Sequence, residues 1–239
     1  MTVSTSNETI FHADAEHQGL RAVVILTLLV GFVLFYLLVQ FVFRALFHES
    51  PLILVCSSAL PLALGFGWLL EKWLMRVWHS GRNITIHAAG IRAVNQVSTD
   101  TNLRWAANLM QLNWTFKLGG YPRGGRERRL PANHHCLAVQ LQQAGQYLVV
   151  YAFMPAKKKQ AILQQAQGNF VELNLEDVYK TTLRSRVFSP PTRPDIPSKV
   201  IAGANGRFWL AEKRRWQEGF ELEPRDFELF LQLVEENSQ

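Results

Sequence analysis

The segment from Lys117 to Arg129 is the stretch of this 239-residue chain whose residue types best suit a chemical task. It reads Lys-Leu-Gly-Gly-Tyr-Pro-Arg-Gly-Gly-Arg-Glu-Arg-Arg, with five cationic residues and four glycines. Cationic side chains attract phosphate groups, and glycines let the backbone approach a ligand closely. The spacing is not that of a P-loop, because no Gly-Lys-Ser/Thr follows. We therefore predict either a solvated loop or a loop that binds headgroup phosphates or a partner through Lys117, Tyr121, Arg123, Arg126, Arg128 and Arg129.

Three other clusters of charged or metal-ligating residues have weaker interpretations. Lys157, Lys158 and Lys159 would spread around the first turns of a helix, as a further lipid contact or a solvated face. His134-His135-Cys136 lacks the four ligands at compatible spacing that zinc usually takes, and neighbours on a strand point to opposite faces. The mixed charges of residues 212–216 favour a salt-bridged surface or a protein contact.

Catalytic constellations are not recognisable in the sequence. We find no nucleophile paired with a base, no paired carboxylates in an apolar setting and no phosphate-cradling loop. We therefore expect no enzyme activity, no catalytic residues, no metal site and no cofactor.

Two long apolar runs near the N-terminus determine where the rest of the chain lies. Residues 22–43 and 51–70 carry no charged side chain and are 22 and 20 residues long. As helices rising about 1.5 Å per residue, each would cover roughly 30 Å, the thickness of a bilayer's hydrocarbon core. We predict a retained transmembrane hairpin with a juxtamembrane helix over residues 21–79, preceded by a flexible tail at 1–20. Buried core helices or a cleaved signal peptide are the alternatives.

Residues around the helix ends predict the orientation. Arg44 is the one Lys or Arg of the short connection, whereas Lys72, Arg76 and Arg82 follow the second run. This bias predicts a multi-pass protein of the inner membrane with both termini in the cytoplasm. Two cysteines that are poor disulfide candidates agree with that compartment. Indole rings favour the headgroup zone, so the sequence predicts membrane-interface anchors at Trp68, Trp73 and Trp78.

Beyond Gly81 the hydrophobic period becomes two, which is typical of strands. We predict hairpins from 83–87 with 91–94 and from 136–141 with 146–153, a half-buried strand at 109–118 and a helix from Pro155 to about Gln167. This β-rich domain spans 81–168. For residues 169–239 we predict a strand near 170–175, a hairpin around Gly203–Gly206 and a last helix after Pro224. That β-β-α tail is either an extension of the first domain or a second small α+β unit.

The order of these elements resembles bacterial pleckstrin-homology-like domains, in particular the YcxB-like group. The resemblance covers roughly residues 20–168. It rests on the membrane hairpin, the Ile84-Thr-Ile-His-Ala-Ala-Gly-Ile91 hairpin, the strand around Leu103-Arg-Trp105 and the Met154-Pro155 step into a helix. It implies an α+β fold, in which a membrane helical hairpin carries a small partly open β-barrel capped by a helix. It implies no catalytic residues.

Together these features predict a membrane-tethered binding or scaffold protein. Its positive cytoplasmic domain, with 23 Lys and Arg against 15 Asp and Glu from residue 71 onward, would contact anionic headgroups or a protein partner. The alternative is an accessory subunit of a larger membrane complex, whose partner helices would pack on the small residues of the second run, Ser57, Ser58, Ala59, Ala63, Gly65 and Gly67. A homo-oligomer would instead agree with the tether. Nucleic-acid binding by the segment Lys117–Arg129, which we call the Gly/Arg loop, is the weakest hypothesis.

Overall fold

The structure is a computed structural model that describes residues 2–5, 8–14, 18–47, 52–95, 100–105, 108–119, 130–165, 169–178 and 195–237. The chain forms two compact units. One is helical and covers residues 16–80. The other is rich in β-strands and is made from the segments 1–15 and 81–239.

The helical unit consists of two long antiparallel helices that follow each other in the sequence, α1 (Gln18–Phe47) and α2 (Leu52–Val77). Small residues at every fourth position of α2 are buried against α1, including Ala59, Ala63 and Gly67. A Cβ added to Gly67 would lie 2.5 Å from Leu28 Cδ2, so a larger residue at this position would displace the Leu28 side chain. The predicted continuation of the second helix beyond residue 70 is confirmed.

The outward surfaces of these helices are strongly apolar. Phe41 is 72 % exposed and Ile53 is 81 % exposed, and most of their large aliphatic neighbours are more than half exposed. Residues 22–46 and 52–77 are long and apolar enough to cross a membrane, judged by length and composition. Water would oppose such exposure, whereas lipid would accept it.

The first sheet, sheet A, has five antiparallel strands in sequential order. Its second strand pairs with its third from Glu8–His87 to His12–Asn83, although both helices lie between them in the sequence. The prediction of a flexible tail over residues 1–20 is therefore wrong where these strands form. The strands are β1 (Thr2–Thr5), β2 (Glu8–His12), β3 (Asn83–His87), β4 (Gly90–Val94) and β5 (Thr101–Arg104).

The second sheet, sheet B, has the order β10-β8-β7-β6-β9, with an antiparallel centre and two short parallel edge strands. Ala144 and Gly145 form the turn between β7 and β8, and their φ angles of 48° and 84° are those of a type I′ hairpin turn. Both predicted hairpins are confirmed. The strands are β6 (Met110–Lys117), β7 (His134–Gln143), β8 (Gln146–Pro155), β9 (Val171–Glu172) and β10 (Phe220–Glu221).

Among the described residues, four α-helices accompany the strands of the β-rich unit, and two of them contradict the prediction for the C-terminal third. The predicted hairpin around Gly203–Gly206 is wrong, because residues 198–201 and 206–218 are helical. The predicted first helix after Pro155 and the last helix after Pro224 are confirmed. The helices are α3 (Ala156–Gln165), α4 (Ser198–Ile201), α5 (Gly206–Glu218) and α6 (Pro224–Asn237).

Sheet B has a core on each face. One core joins it to sheet A, α3 and α6, and the buried stripe of α6 is the predicted one: Phe227, Phe230, Leu231 and Val234. The other core joins it to residues 173–178 and to α5. The prediction that β6 keeps one face in water is wrong for Asn113 and Thr115, which are both buried.

The described strands form two sheets and no closed barrel. Within residues 169–239 the predicted strand near 170–175 is present as the short β9. The rest of the predicted β-β-α tail is different, because the described residues form a 3₁₀ helix at Leu175–Asp177, two helices, the two-residue β10 and a third helix. The segment belongs to the same compact unit as residues 81–168.

Candidate functional site

A cluster of basic side chains lies at one end of sheet B. Lys117 ends β6 and is paired directly with His135 near the start of β7. Residues that lie opposite each other in an antiparallel pair project from the same face of the sheet. Lys117 and His135 are therefore neighbours on the face that also carries α3.

A third basic residue reaches the same face from a helix. Glu172 of β9 lies opposite Thr115, two residues before Lys117, and so shares its face. The Glu172 carboxylate accepts a hydrogen bond of 3.1 Å from Lys159 Nζ of α3. Lys159 is only 12 % exposed, whereas Glu172 is 69 % exposed. Three basic residues and one carboxylate thus converge from four elements; we call Lys117, His135 and Lys159, with Glu172, the basic cluster.

The charge of His135 depends on these neighbours. Burial lowers its pKa below the usual 6.5, and the nearby cations Lys159 and Lys117 lower it further. The Glu172 carboxylate and the Asn133 carbonyl raise the pKa in part. The imidazole is therefore neutral at pH 7 while the two lysines carry charge.

The Gly/Arg loop, residues 117–129, begins at Lys117 of the basic cluster, and its described stem pairs with residues 132–134. Leu118 N donates to His134 O at 2.8 Å, and Gly119 N donates to Ala132 O at 2.9 Å, so the two stems are tied together. Of the predicted loop residues the structure places Lys117. Tyr121, Arg123, Arg126, Arg128 and Arg129 lie outside the described residues.

The predicted interface tryptophans lie at the end of α2. Trp68 and Trp73 are more than half exposed, and Trp78 directly follows the helix, where its N donates to Leu74 O at 2.7 Å. Lys72 Nζ lies 3.9 Å from the centroid of the Trp68 ring. A cation over an indole ring is an arrangement suited to a headgroup zone.

A buried ion pair on the opposite face of sheet B was not predicted. Arg215 donates from Nε and Nη2 to both carboxylate oxygens of Glu212, at 2.7 and 2.8 Å, and Trp114 Nε1 donates to the same carboxylate at 3.0 Å. The guanidinium also lies over the rings of Tyr151, Phe116 and Phe153. Burial alone would lower the pKa of Arg215, but Glu212 raises it above its usual value, so the guanidinium stays protonated.

This ion pair corrects the surface interpretation of residues 212–216. Glu212 and Arg215 are both buried, at helical spacing from Phe208 and Ala211. That spacing was the signal available in the sequence, since all four side chains share one helix face. Cys136 is buried beside the pair, and burial raises the pKa of its thiol well above the usual range. The thiol is protonated and unreactive at neutral pH.

A second unpredicted pair ties the segments that flank the helices in the sequence. Arg82 donates to the Asp14 carboxylate, and its other bonds reach Glu218 O at 2.7 Å and Gly219 O at 3.1 Å. Its guanidinium lies 4.0 Å from the centroid of the Phe220 ring. Asp14 also bonds the backbone of Glu221. We call this arrangement the junction clasp; no sequence signal relates Asp14 to Arg82.

The described residues also form a groove of about 140 Å³ between α3 and α6, which is lined by Ile162, Gln165, Glu228, Leu231, Gln232 and Glu235. Pockets for drug-sized ligands are typically larger, at about 300–1,000 Å³. Among the described residues, no group of three or more His, Cys, Asp or Glu side chains is placed to hold a metal ion.

No family model matches the chain, and no curated protein or solved structure is significantly similar to it.

Proposed function

We propose that this chain is a membrane-tethered binding protein whose β-rich unit contacts anionic headgroups on the cytoplasmic side. The observation that carries the proposal is the insertion of two apolar helices between two paired strands of one sheet. The basic cluster supplies the contact surface, and the helices supply the tether.

The outward apolar surfaces of α1 and α2 support the tether. Both helices exceed the roughly 20 residues needed to cross a bilayer, and each keeps its large side chains outward. Where the two helices pack together, the side chains are either small or are rings that contact each other. Phe35 and Phe66 are such an edge-to-face pair, with ring centroids 6.0 Å apart. The two helices thus cover each other's facing surfaces, whereas their outward apolar surfaces still need an apolar solvent.

The pairing of β2 with β3 supports a topology in which the segments before and after the two helices lie on the same side of the membrane. β2 precedes the helices and β3 follows them, yet the two strands are hydrogen-bonded along five residue pairs. If the helices span a bilayer, the N-terminal segment and residues from 81 onward must emerge on the same side. The excess of Lys and Arg after α2 over the α1–α2 connection favours the cytoplasm.

The basic cluster supports the choice of anionic headgroups. A basic residue near an anionic membrane surface contributes about 1 kcal/mol. Lys117 of this cluster is the first of the five cationic residues of the segment 117–129, and the other four lie outside the described residues. A tethered domain also has a high effective concentration for headgroups, so weak contacts become occupied.

Two antiparallel meanders followed by helix α3 support the proposed kinship with pleckstrin-homology-like, YcxB-like domains. In that interpretation, sheet A and the β6–β8 meander form the two walls of a partly open barrel and α3 or α6 caps it. The segment 169–239 then extends the domain.

Protease protection tests the proposed topology. The full-length chain, tagged at both ends and expressed in a bacterial inner membrane, should resist protease added to intact spheroplasts and lose both tags after lysis. It should also stay in the membrane pellet after alkaline carbonate extraction. An N-terminal tag cleaved outside while the C-terminal tag is protected would contradict the pairing of β2 with β3 in the membrane.

An accessory subunit of a larger membrane complex is the second candidate. The predicted small-residue face loses support, because Ala59, Ala63 and Gly67 already pack on α1. Ser57 and Gly65 of that set are exposed, and a Cβ on Gly65 would meet nothing within 4 Å. Co-purification of stoichiometric subunits in mild detergent would favour the complex, and a monomer or homodimer would favour the tether.

A further inference from the structure

We propose that the basic cluster is a site for a phosphate monoester, and that His135 takes up a proton when the phosphate binds. This inference rests on the proposed function and deepens it, because it names the class of headgroup and a regulation by pH.

The number and placement of the donors favour a monoester. Lys117, His135 and Lys159 reach one face from β6, β7 and α3, so three donors approach a common space from three elements. A terminal phosphate monoester offers three strong acceptor oxygens, whereas the phosphodiester of an ordinary phospholipid offers two non-bridging ones. A monoester can therefore satisfy all three donors at once.

The charge balance favours a dianion over a monoanion. With His135 neutral, the two lysines carry two positive charges and Glu172 carries one negative charge. A dianion gains about twice the Coulomb attraction of a monoanion at the same distance. It also competes with Glu172 for Lys159, and Glu172 can turn away because it is 69 % exposed.

The environment of His135 links binding to protons. The charged groups that face its ring are Lys159 from α3, Glu172 from β9 and Lys117 from β6. The Asn133 carbonyl lies nearby, and Met154 is its uncharged partner on β8. A bound dianion places negative charge beside the ring and favours the imidazolium. The bound form therefore holds one more proton on His135. The pKa of His135 is higher in the bound protein than in the free protein, and the affinity for phosphate rises as the pH falls between these two values.

The experiment uses the full-length protein in non-ionic detergent micelles. Mixed micelles contain either phosphatidic acid, a monoester, or phosphatidylglycerol, a diester, at equal mole fraction, and binding is measured at about pH 6 and about pH 8. Phosphatidic acid loses charge as pH falls, so a purely electrostatic contact would weaken. We expect the wild type to prefer phosphatidic acid and to bind it several-fold more tightly at the lower pH.

Matched variants separate the parts of the proposal. His135→Gln should remove the gain at low pH, whereas His134→Gln, which changes the neighbouring histidine on the opposite face, should keep it. Lys117→Gln and Lys159→Gln should weaken binding at both pH values by about fivefold, the equivalent of about 1 kcal/mol. Lys213→Gln, an exposed lysine of α5, is the charge-matched control and should have a smaller effect.

The outcomes distinguish this inference from the proposed function. Equal binding of the two lipids, or an unchanged pH dependence in His135→Gln, would overturn the inference while headgroup binding stood. No binding of either lipid, together with an upward shift of the His135 pKa in NMR titrations with inorganic phosphate, would support the site but overturn its membrane role. Absence of both effects would overturn both.

Discussion

Two charged clusters on opposite faces of sheet B differ in how their charges are compensated. Phe116 and Lys117 are adjacent in β6; the ring of Phe116 lies under Arg215, and Lys117 belongs to the basic cluster. On the first face, Arg215 meets a bidentate carboxylate and three aromatic rings. On the other face, the basic cluster has three basic residues and one carboxylate, and that carboxylate accepts its hydrogen bond from Lys159.

This difference distinguishes charges that stabilise the fold from charges that remain available to a ligand. Arg215 and Glu212 are 1 % and 3 % exposed, so each must be compensated within the protein. The basic cluster opens to solvent through Lys117 and Glu172, so water and mobile ions can compensate it until a ligand binds. Changes in the first cluster should reduce stability, and changes in the second should reduce binding.

Replacing Arg215 should have the largest effect on stability. Arg215→Met removes the two hydrogen bonds that the guanidinium donates to the buried Glu212 carboxylate and leaves that carboxylate without its cationic partner. We expect a loss of about 3–5 kcal/mol in the free energy of unfolding, measured by denaturant titration of the full-length protein in detergent.

The double variant Glu212→Gln/Arg215→Met is the control for that prediction. Since it removes the uncompensated charge, it should recover part of the lost stability. A loss below about 1 kcal/mol for Arg215→Met alone would mean that the pair is far less important to the fold than its burial indicates.

The junction clasp should give the second-largest effect. Arg82→Ala removes hydrogen bonds to a buried carboxylate and to two carbonyls, and bonds to charged groups contribute about 1.5–3 kcal/mol. We expect a loss of about that size, and hydrogen exchange should increase in β2 and β10, which the clasp joins. Arg104→Ala, an exposed arginine at the end of β5, is the matched control. Equal effects of the two variants would contradict the clasp.

Hydrophobic period made much of this fold predictable. The apolar runs indicated α1 and α2, and alternation indicated the β3–β4 and β7–β8 hairpins. The stripe of Phe227, Phe230 and Val234 indicated the last helix. In each case the pattern extends over enough residues to specify one type of element.

The errors arise where local sequence is ambiguous or where partners are remote. Gly206 suggested a turn, but it begins α5, and a Cβ there would lie 1.8 Å from Ile201 O, so glycine is needed for close packing. β2 has only five residues, and its partner β3 lies some seventy residues further along the chain. The basic cluster depends on the register of β6 with β7 and on β9, which no local pattern reveals.

Variants of the basic cluster should leave stability almost unchanged, in contrast to the buried pair. Lys117→Gln removes an exposed charge for which the described contacts show no ion pair, so we expect a change within about 0.5 kcal/mol. Lys159→Gln should cost slightly more, because its side chain is largely buried against Glu172. Thermal unfolding of the same samples used for lipid binding checks this. A loss comparable to that of Arg215→Met would place both clusters in the same structural role.

The smallest expected effect is the pH dependence that His135 gives to stability. Its pKa is lower in the folded chain than the usual 6.5, so the unfolded chain binds more protons between those two values. Stability from this group is therefore complete above about pH 6.5 and falls as the pH decreases toward the folded pKa. His135→Gln should flatten this part of the stability profile, and His134→Gln should not. Saturating phosphate should also remove the slope or reverse it in the wild type, because the bound anion raises the pKa of the folded imidazole. A slope that phosphate leaves untouched would show that the anion binds away from His135.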